Sequence, residues 1–298
     1  MRDSNLVPVI PCPLNIQTLL FQAERDLAQA GCKRPAFEAR YLLEEVLRVN
    51  RAWLILHGDR QVNSDDKKAY RAMVEQRKQG LPLQYIARKT HFWSRDFVLT
   101  PDVLIPRPET EFVVEQALVS IRAAWPNFEE IQVLDLGTGS GVIADILAEE
   151  LGCTVVGTDI SWPALLVARR NIQAHGLSGQ VSLVCADMFS AFAPGATFHA
   201  IVANLPYVET EVREKLDREV VEYEPALALF AGPDGLDCYR RCIAEAGGYL
   251  YDGGVLILEI GAAQDKAIAQ LLARHGFVSI EIRHDYAGLP RCACACKA

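Results

Sequence analysis

At 298 residues, half of them hydrophobic, the chain is long enough for one large domain or two unequal ones with a sizeable core. A formal net charge of −8 gives no broad attraction to phosphate backbones, which weighs against a nucleic-acid partner while leaving room for a local basic patch. No apolar run approaches membrane-spanning length and no signal-peptide core stands at the start, so the expectation is a cytoplasmic protein with reduced thiols and no membrane contact.

Residues 1 to 14 are Pro-rich and read as a loose arm. Ile16, Leu20, Ala23 and Leu27 then make a helical stripe that Gly31 stops. Pro35 opens a second helix with Leu42, Leu43, Val46 and Leu47 on its core face. A third, 64–79, ends at Gly80 and Pro82, and its charge-rich run reads as a solvated face. No catalytic constellation occurs here. Residues 1–88 are expected to form a small helical bundle for substrate recognition. Residues 89–106 carry alternating aromatic and apolar positions, as a β-hairpin linker would. The remainder, 107–298, opens with Pro108 and with Glu109 and Glu111 at the positive end of a helix.

Ile131, Val133, Leu134 and Leu136 form a β-type run, followed by Gly137-Thr138-Gly139-Ser140-Gly141 and then by Val142, Ile143, Ile146 and Leu147 at helical spacing. Strand, glycine loop and helix open a nucleotide-binding α/β unit, because glycine lets the backbone turn tightly and approach a ligand. A second strand ends in Asp159, roughly 20 residues on, where a carboxylate can accept both hydroxyls of a ribose. Asp135 stands just before the loop. A carboxylate there is unhelpful to a pyrophosphate and suits an ammonium group. S-adenosylmethionine has an amine, a ribose and no phosphate, so the loop leans towards it.

Further along come a helix at 162–175, a strand at 181–185 leading into Asp187 and Met188, and a strand at 198–203 running into Asn204-Leu205-Pro206-Tyr207. A helix (236–246), a strand (255–260), a helix (262–275) and a final strand pair complete the pattern. Alternating strands and helices imply a mostly parallel sheet with its ligands beyond the carboxyl strand ends. Cys292, Cys294 and Cys296 alternate on one strand face and read as small buried hydrophobes. Neither the cysteines nor the histidines have metal-ligand spacing, so no metal site is expected.

Asn204 to Tyr207 carries the chemistry. Pro206 fixes its own φ and biases Leu205 towards an extended conformation, which aims the Leu205 carbonyl. That carbonyl and the Asn204 side-chain oxygen offer two acceptors to a planar NH2 group, and Tyr207 can pack flat against the group that bears it. Two acceptors favour the positive charge that develops as such a nitrogen attacks a sulfonium methyl group. In-line positioning supplies much of the rest.

LIPRPETE, VLDLGTGSG, Asp159, ADMF, NLPY and the terminal DYAGLPR, in this order over essentially the whole chain, resemble the HemK/PrmC family of peptide-chain release-factor glutamine methyltransferases. The resemblance implies a Rossmann-like class I methyltransferase fold, with a mostly parallel seven-stranded sheet behind a small helical bundle. It implies S-adenosylmethionine-dependent methylation of the Gln amide in the Gly-Gly-Gln tip of release factors. Gly137 to Gly141, Asp159, Asp187 and Met188 would then hold the cofactor together with Asp135 and Asn204, and Asn204 to Tyr207 would hold the substrate Gln. Leu205 departs from the family's usual Asn-Pro-Pro-Tyr; NLPY is the form typical of ribosomal-RNA adenine dimethylases. Met188 stands where an aromatic residue is often found. The alternatives are an RNA adenine amino group or a ribosomal-protein Gln as methyl acceptor. Release factors are the expected partners, and a monomer without direct nucleic-acid contact is the expected state.

Overall fold

Asn15, Asn50 and Asn63 each turn a side-chain oxygen onto the backbone N–H three residues ahead, at 2.9, 2.9 and 2.8 Å. Each cap satisfies a donor that a helix start leaves bare. In the computed structural model, which describes residues 15–126, 131–193, 195 and 197–298, these caps begin α1 (Ile16–Gln29), α3 (Arg51–Leu56) and α4 (Ser64–Lys78). Between and after them lie α2 (Pro35–Leu47), with Pro35 in its first turn, and α5 (Leu83–Ala87). The expected N-terminal arm lies outside the described residues. Leu19, Leu27, Leu42, Leu43, Tyr70 and Val74 pack into one core, each such side chain adding about 1.5–3 kcal/mol of transfer free energy. A buried ion pair, Arg77 to Glu38 at 2.8 Å, ties α4 to α2. The periodicity missed α3 and α5, which at six and five residues are too short to show a stripe. Asn50 was the signal for α3.

The chain divides into two units after Ala87. The second begins with a hairpin, β1 (Lys89–Phe92) and β2 (Arg95–Val98), closed by Trp93 and Ser94 in the left-handed region. The strands stop at Val98, short of residue 105. Residues 99–107 instead form a loop, and α6 (Pro108–Ala124) follows.

Next come β3 (Gln132–Leu136), α7 (Val142–Leu151), β4 (Thr154–Asp159), α8 (Trp162–Ala174), β5 (Val181–Cys185), β6 (Phe198–Ala203) and a short α9 (Arg218–Tyr223). After them stand α10 (Asp237–Ala246), β7 (Leu250–Glu259), α11 (Asp265–Arg274), β8 (Phe277–His284) and β9 (Pro290–Lys297). The seven strands form one sheet in the order β5-β4-β3-β6-β7-β9-β8, parallel except for β9, which runs antiparallel to both neighbours. This is the expected mostly parallel seven-stranded sheet.

Both sheet faces are buried, which is why its central strands are apolar at nearly every position. Val133, Val155, Val202 and Ile257 face α6 and α7; Leu134, Leu136, Ile201 and Leu258 face α10 and α11. On β9, Cys292 and Cys294 enter the first layer and Ala293 and Ala295 the second, so the cysteines are core side chains as their alternation suggested. Strand order reverses direction between β3 and β6. A crevice opens there beyond the carboxyl ends.

Candidate functional site

The glycine loop bridges β3 and α7, and its amides are tied to the neighbouring strand. Gly137 and Thr138 both donate to the Thr158 carbonyl, at 2.9 and 2.7 Å. Gly137, Gly139 and Gly141 all have positive φ, at 78°, 56° and 84°, which other residues adopt only with strain. Their surroundings differ. A Cβ on Gly141 would sit 3.1 Å from the Ala168 Cβ, so this glycine serves close packing of α7 on α8. A Cβ on Gly139 would meet nothing nearer than the Gly137 carbonyl at 4.0 Å; its open side faces a cavity of ≈ 230 Å³.

Asp159, at the end of β4, reaches the loop from the other side. Its Oδ2 accepts from the Gly139 amide at 2.9 Å and its Oδ1 from the Ser161 amide at 2.8 Å. A carboxylate accepts at about four sites, so even with the Ile160 amide also close it keeps capacity for a further donor. Burial raises this carboxyl above the usual range, and the amide bonds offset part of the rise. Gly137, Thr138, Gly139, Ser140, Asp159, Asp187, Met188, Asn204, Leu205 and Pro206 line the cavity, so most of the expected site residues converge. Met188 has a φ of 52°, which turns the chain sharply after β5 and sets the residue on the cavity wall. Asp187 is paired with Arg241 of α10 at 2.9 Å.

Three expected residues stand elsewhere. Asp135 is fully buried beneath the loop and does not line the cavity. Its Oδ2 accepts from the Thr138 hydroxyl at 2.6 Å and the Ala144 amide at 3.0 Å, while Oδ1 has no hydrogen-bond partner among the described residues. Burial pushes its carboxyl up to about 7, against those two bonds. Its bonds to Thr138 and Ala144 hold the loop's shape. Gly141 is a packing residue, for the reason given above. Tyr207 also lies off the cavity lining: its hydroxyl donates to Glu259 Oε1 at 3.4 Å, and its carbonyl accepts from Gln264 Nε2 at 3.1 Å. These two bonds fix the hydroxyl and the carbonyl of Tyr207.

At the end of β6, Asn204 Nδ2 donates to Thr110 Oγ1 at 3.2 Å, and Thr110 Oγ1 donates to Glu259 Oε2 at 2.7 Å. With Nδ2 so engaged, Oδ1 is the amide atom left to the cavity. Leu205 is buried, with its Cδ2 3.4 Å from where a Gly137 Cβ would stand. Its side chain therefore packs under the glycine loop, a contact that a purely backbone reading of the position overlooked. Burial pushes the Glu259 carboxyl up to about 7.

Several further residues take part, of which Leu104, Pro106 and Thr110 fall within the LIPRPETE motif without a role having been assigned to them. Val103, Leu104 and Pro106 of the loop after the hairpin, Thr110 of α6, Leu227 and Arg241 all line the cavity. Glu259 lies behind it. The one available signal for Glu259 was a lone acid ending an otherwise apolar strand, VLILE.

Two family models match the chain: a PrmC N-terminal domain over residues 18–87 and a methyltransferase domain over 133–223. Among curated relatives, a release factor glutamine methyltransferase of Moorella thermoacetica is 39% identical over 94% of this chain and 97% of its own. Another, of Geobacter sulfurreducens, is 38% identical over 89% and 90%. A solved 16S rRNA N2 G1207 methyltransferase of T. thermophilus, in complex with AdoMet and guanosine, shares the fold at a TM-score of 0.52. It is 21% identical, covering 70% of this chain and 50% of that one.

Proposed function

The chain belongs to the release factor glutamine methyltransferase family, and from that premise we propose that it transfers a methyl group from S-adenosylmethionine to the Gln side-chain amide of the Gly-Gly-Gln motif in peptide chain release factors. The observation that carries this reading is the acceptor geometry of Asn204 beside a glycine-lined cavity. The cavity suits the cofactor. Gly139 leaves space that a side chain would take, Asp159 keeps lone pairs for ribose hydroxyls, and Ile160, Ala186 and Met188 offer an apolar wall to an adenine. When bound, the cofactor supplies an electrophilic methyl group on a sulfonium.

This chain's own residues then hold the acceptor. Asn204 Oδ1 and the Leu205 carbonyl accept the two hydrogens of the substrate NH2. An amide nitrogen is a poor nucleophile because its lone pair is delocalised, and two fixed acceptors favour the positive charge it gains in attack. Holding that nitrogen in line replaces a costly encounter with a positioned one. Among the described residues no side chain stands as an evident base at Asn204 Oδ1, and the proton leaves to water after transfer.

Residues 1–88 serve to recognise the protein substrate, 89–106 to link and, through Val103, Leu104 and Pro106, to wall the cavity, and 107–298 to carry the reaction. The protein acts as a cytoplasmic monomer without direct nucleic-acid contact, in keeping with its net charge of −8. The test is mass spectrometry after incubation with cofactor and an equimolar mixture of release factor, ribosomal proteins and unmodified ribosomal RNA. One added methyl on the Gly-Gly-Gln glutamine is expected. Label found chiefly on RNA adenine or a ribosomal protein would overturn the assignment.

A further inference from the structure

The chain of bonds from Asn204 through Thr110 to Glu259 has a direction, and the direction follows from hydrogen counting. An ionised carboxylate only accepts, and a threonine hydroxyl has one hydrogen to give. That hydrogen goes to Glu259 Oε2 at 2.7 Å, so Thr110 Oγ1 can only accept from Asn204 at 3.2 Å. While Glu259 is ionised, the Asn204 atom facing Thr110 must therefore be Nδ2. An asparagine and its flipped form have nearly the same shape, and only their partners tell them apart. The flipped form would turn a donor towards an incoming NH2 group, donor against donor.

Resting on the reading of Asn204 given above, we infer that Glu259 is a positioning residue that, through Thr110, fixes the Asn204 amide with Oδ1 towards the methyl acceptor and so selects for an acceptor arriving as NH2. Glu259 itself meets no substrate. Its surroundings come from four elements. Thr110 and Glu109 belong to α6, and Tyr207 follows β6. Tyr239 of α10 donates to the Glu259 carbonyl oxygen at 2.5 Å. Arg291 and Cys292 belong to β9, where Cys292 pairs with Glu259 in register. The Arg291 charge favours the ionised form, and Asp285 of the DYAGLPR turn holds Arg291 by its Nε at 3.3 Å. Burial and the charge of Glu109 oppose ionisation. A protonated Glu259 could give its own hydrogen to Thr110 and release the hydroxyl to donate to Asn204, and the direction would be lost.

Three variants and two readouts test this. Glu259→Gln keeps shape but not the obligate acceptor, Thr110→Val removes the hydroxyl, and Thr110→Ser retains it. In single-turnover methylation of a release factor at saturating S-adenosylmethionine, the first two should slow transfer by about tenfold or more. The Thr110→Val/Glu259→Gln double variant should be no slower than either, because both cut one chain. Thr110→Ser should stay within about threefold of wild type, and calorimetric affinity for S-adenosylmethionine should hold to about threefold in all.

The second readout needs no acceptor. With asparagine labelled in its side-chain nitrogen, the Asn204 NH2 resonances should titrate near the Glu259 value of about 7 in wild type and Thr110→Ser. They should be flat in Glu259→Gln and Thr110→Val. A wild type that methylates no release factor would sink the proposed function, yet the titration would still decide the relay. Wild-type rates in Thr110→Val, equal damage in Thr110→Ser, or an Asn204 signal blind to Glu259 would each overturn it.

Discussion

The two halves of the cavity are built differently. The half proposed for the cofactor comes from one stretch of the chain, 137–188: a glycine loop, the acid ending the next strand, and the turn after the third. Its bonds are short-range in the fold, from the loop to β4 and back. The acceptor half is assembled from α6, the end of β6 and the end of β7, with residues 110, 204 and 259 drawn together across the sheet. Each half stands over a buried carboxyl, Asp135 beneath the loop and Glu259 behind the acceptor motif, and burial pushes both up to about 7. A motif marks only one of the two. The comparison teaches that recurring backbone shapes leave a sequence signature, whereas a side chain that orients another can come from anywhere the fold allows.

The largest effect should come from crossing the halves. Asn204→Ala removes an acceptor used as charge develops, so transfer should fall by about 100-fold while calorimetric S-adenosylmethionine affinity changes little. Asp159→Ala should do the reverse, costing about 1.5–3 kcal/mol in cofactor affinity for each lost charge-assisted bond. Equal damage to both properties in both variants would mean that the halves are not separable.

A finer division lies within the loop. Gly141→Ala forces a Cβ to 3.1 Å from the Ala168 Cβ at a φ of 84°, and should lower unfolding stability by about 1–3 kcal/mol in urea titration. Gly139→Ala meets no such neighbour. It should cost about 1 kcal/mol in strain but weaken cofactor binding more than Gly141→Ala does.

The two buried carboxyls predict a pH dependence of stability. Asp135 rises from 3.8 to about 7 on folding, so the folded state binds its proton more tightly than the unfolded chain. The stability this confers is fully present below 3.8 and lost as pH rises through about 7. Asp135→Asn keeps an acceptor for Thr138 and Ala144 and should flatten the fall in melting temperature across that range. Glu259→Gln should flatten a separate portion. An unchanged slope in both variants would place the titration elsewhere.

Leu205→Pro should be the mildest change. Position 205 contributes a carbonyl, and turnover should stay within a few-fold; the lost packing beneath Gly137 should instead cost about 1–2 kcal/mol of stability.

Periodicity located β5 and β6, the principal helices, and the alternating cysteines of β9, because a buried sheet face and a helix stripe each impose a spacing that residues one after another must obey. Short elements escaped for the same reason: α3, α5 and α9 complete too few turns to show a stripe. The loop from residue 99 to 106 read as part of a hairpin because proline and apolar residues suit either, and only packing over the cavity distinguished them.

By itself, then, the sequence determined the alternation of strands and helices, the mostly parallel sheet, and the positions of the glycine loop, Asp159 and Asn204 to Tyr207 at the strand ends, since their signals lie in the residues themselves and their immediate neighbours. Tertiary structure alone decided that Asp135 bonds Thr138 and Ala144 beneath the loop, that Tyr207 bonds Glu259, that Leu205 packs beneath the loop, and that Thr110 and Glu259 stand behind Asn204. Those roles depend on which side chains the strand order brings within a hydrogen bond of one another, and residues 149 apart in the chain, Thr110 and Glu259, have no local reason to meet.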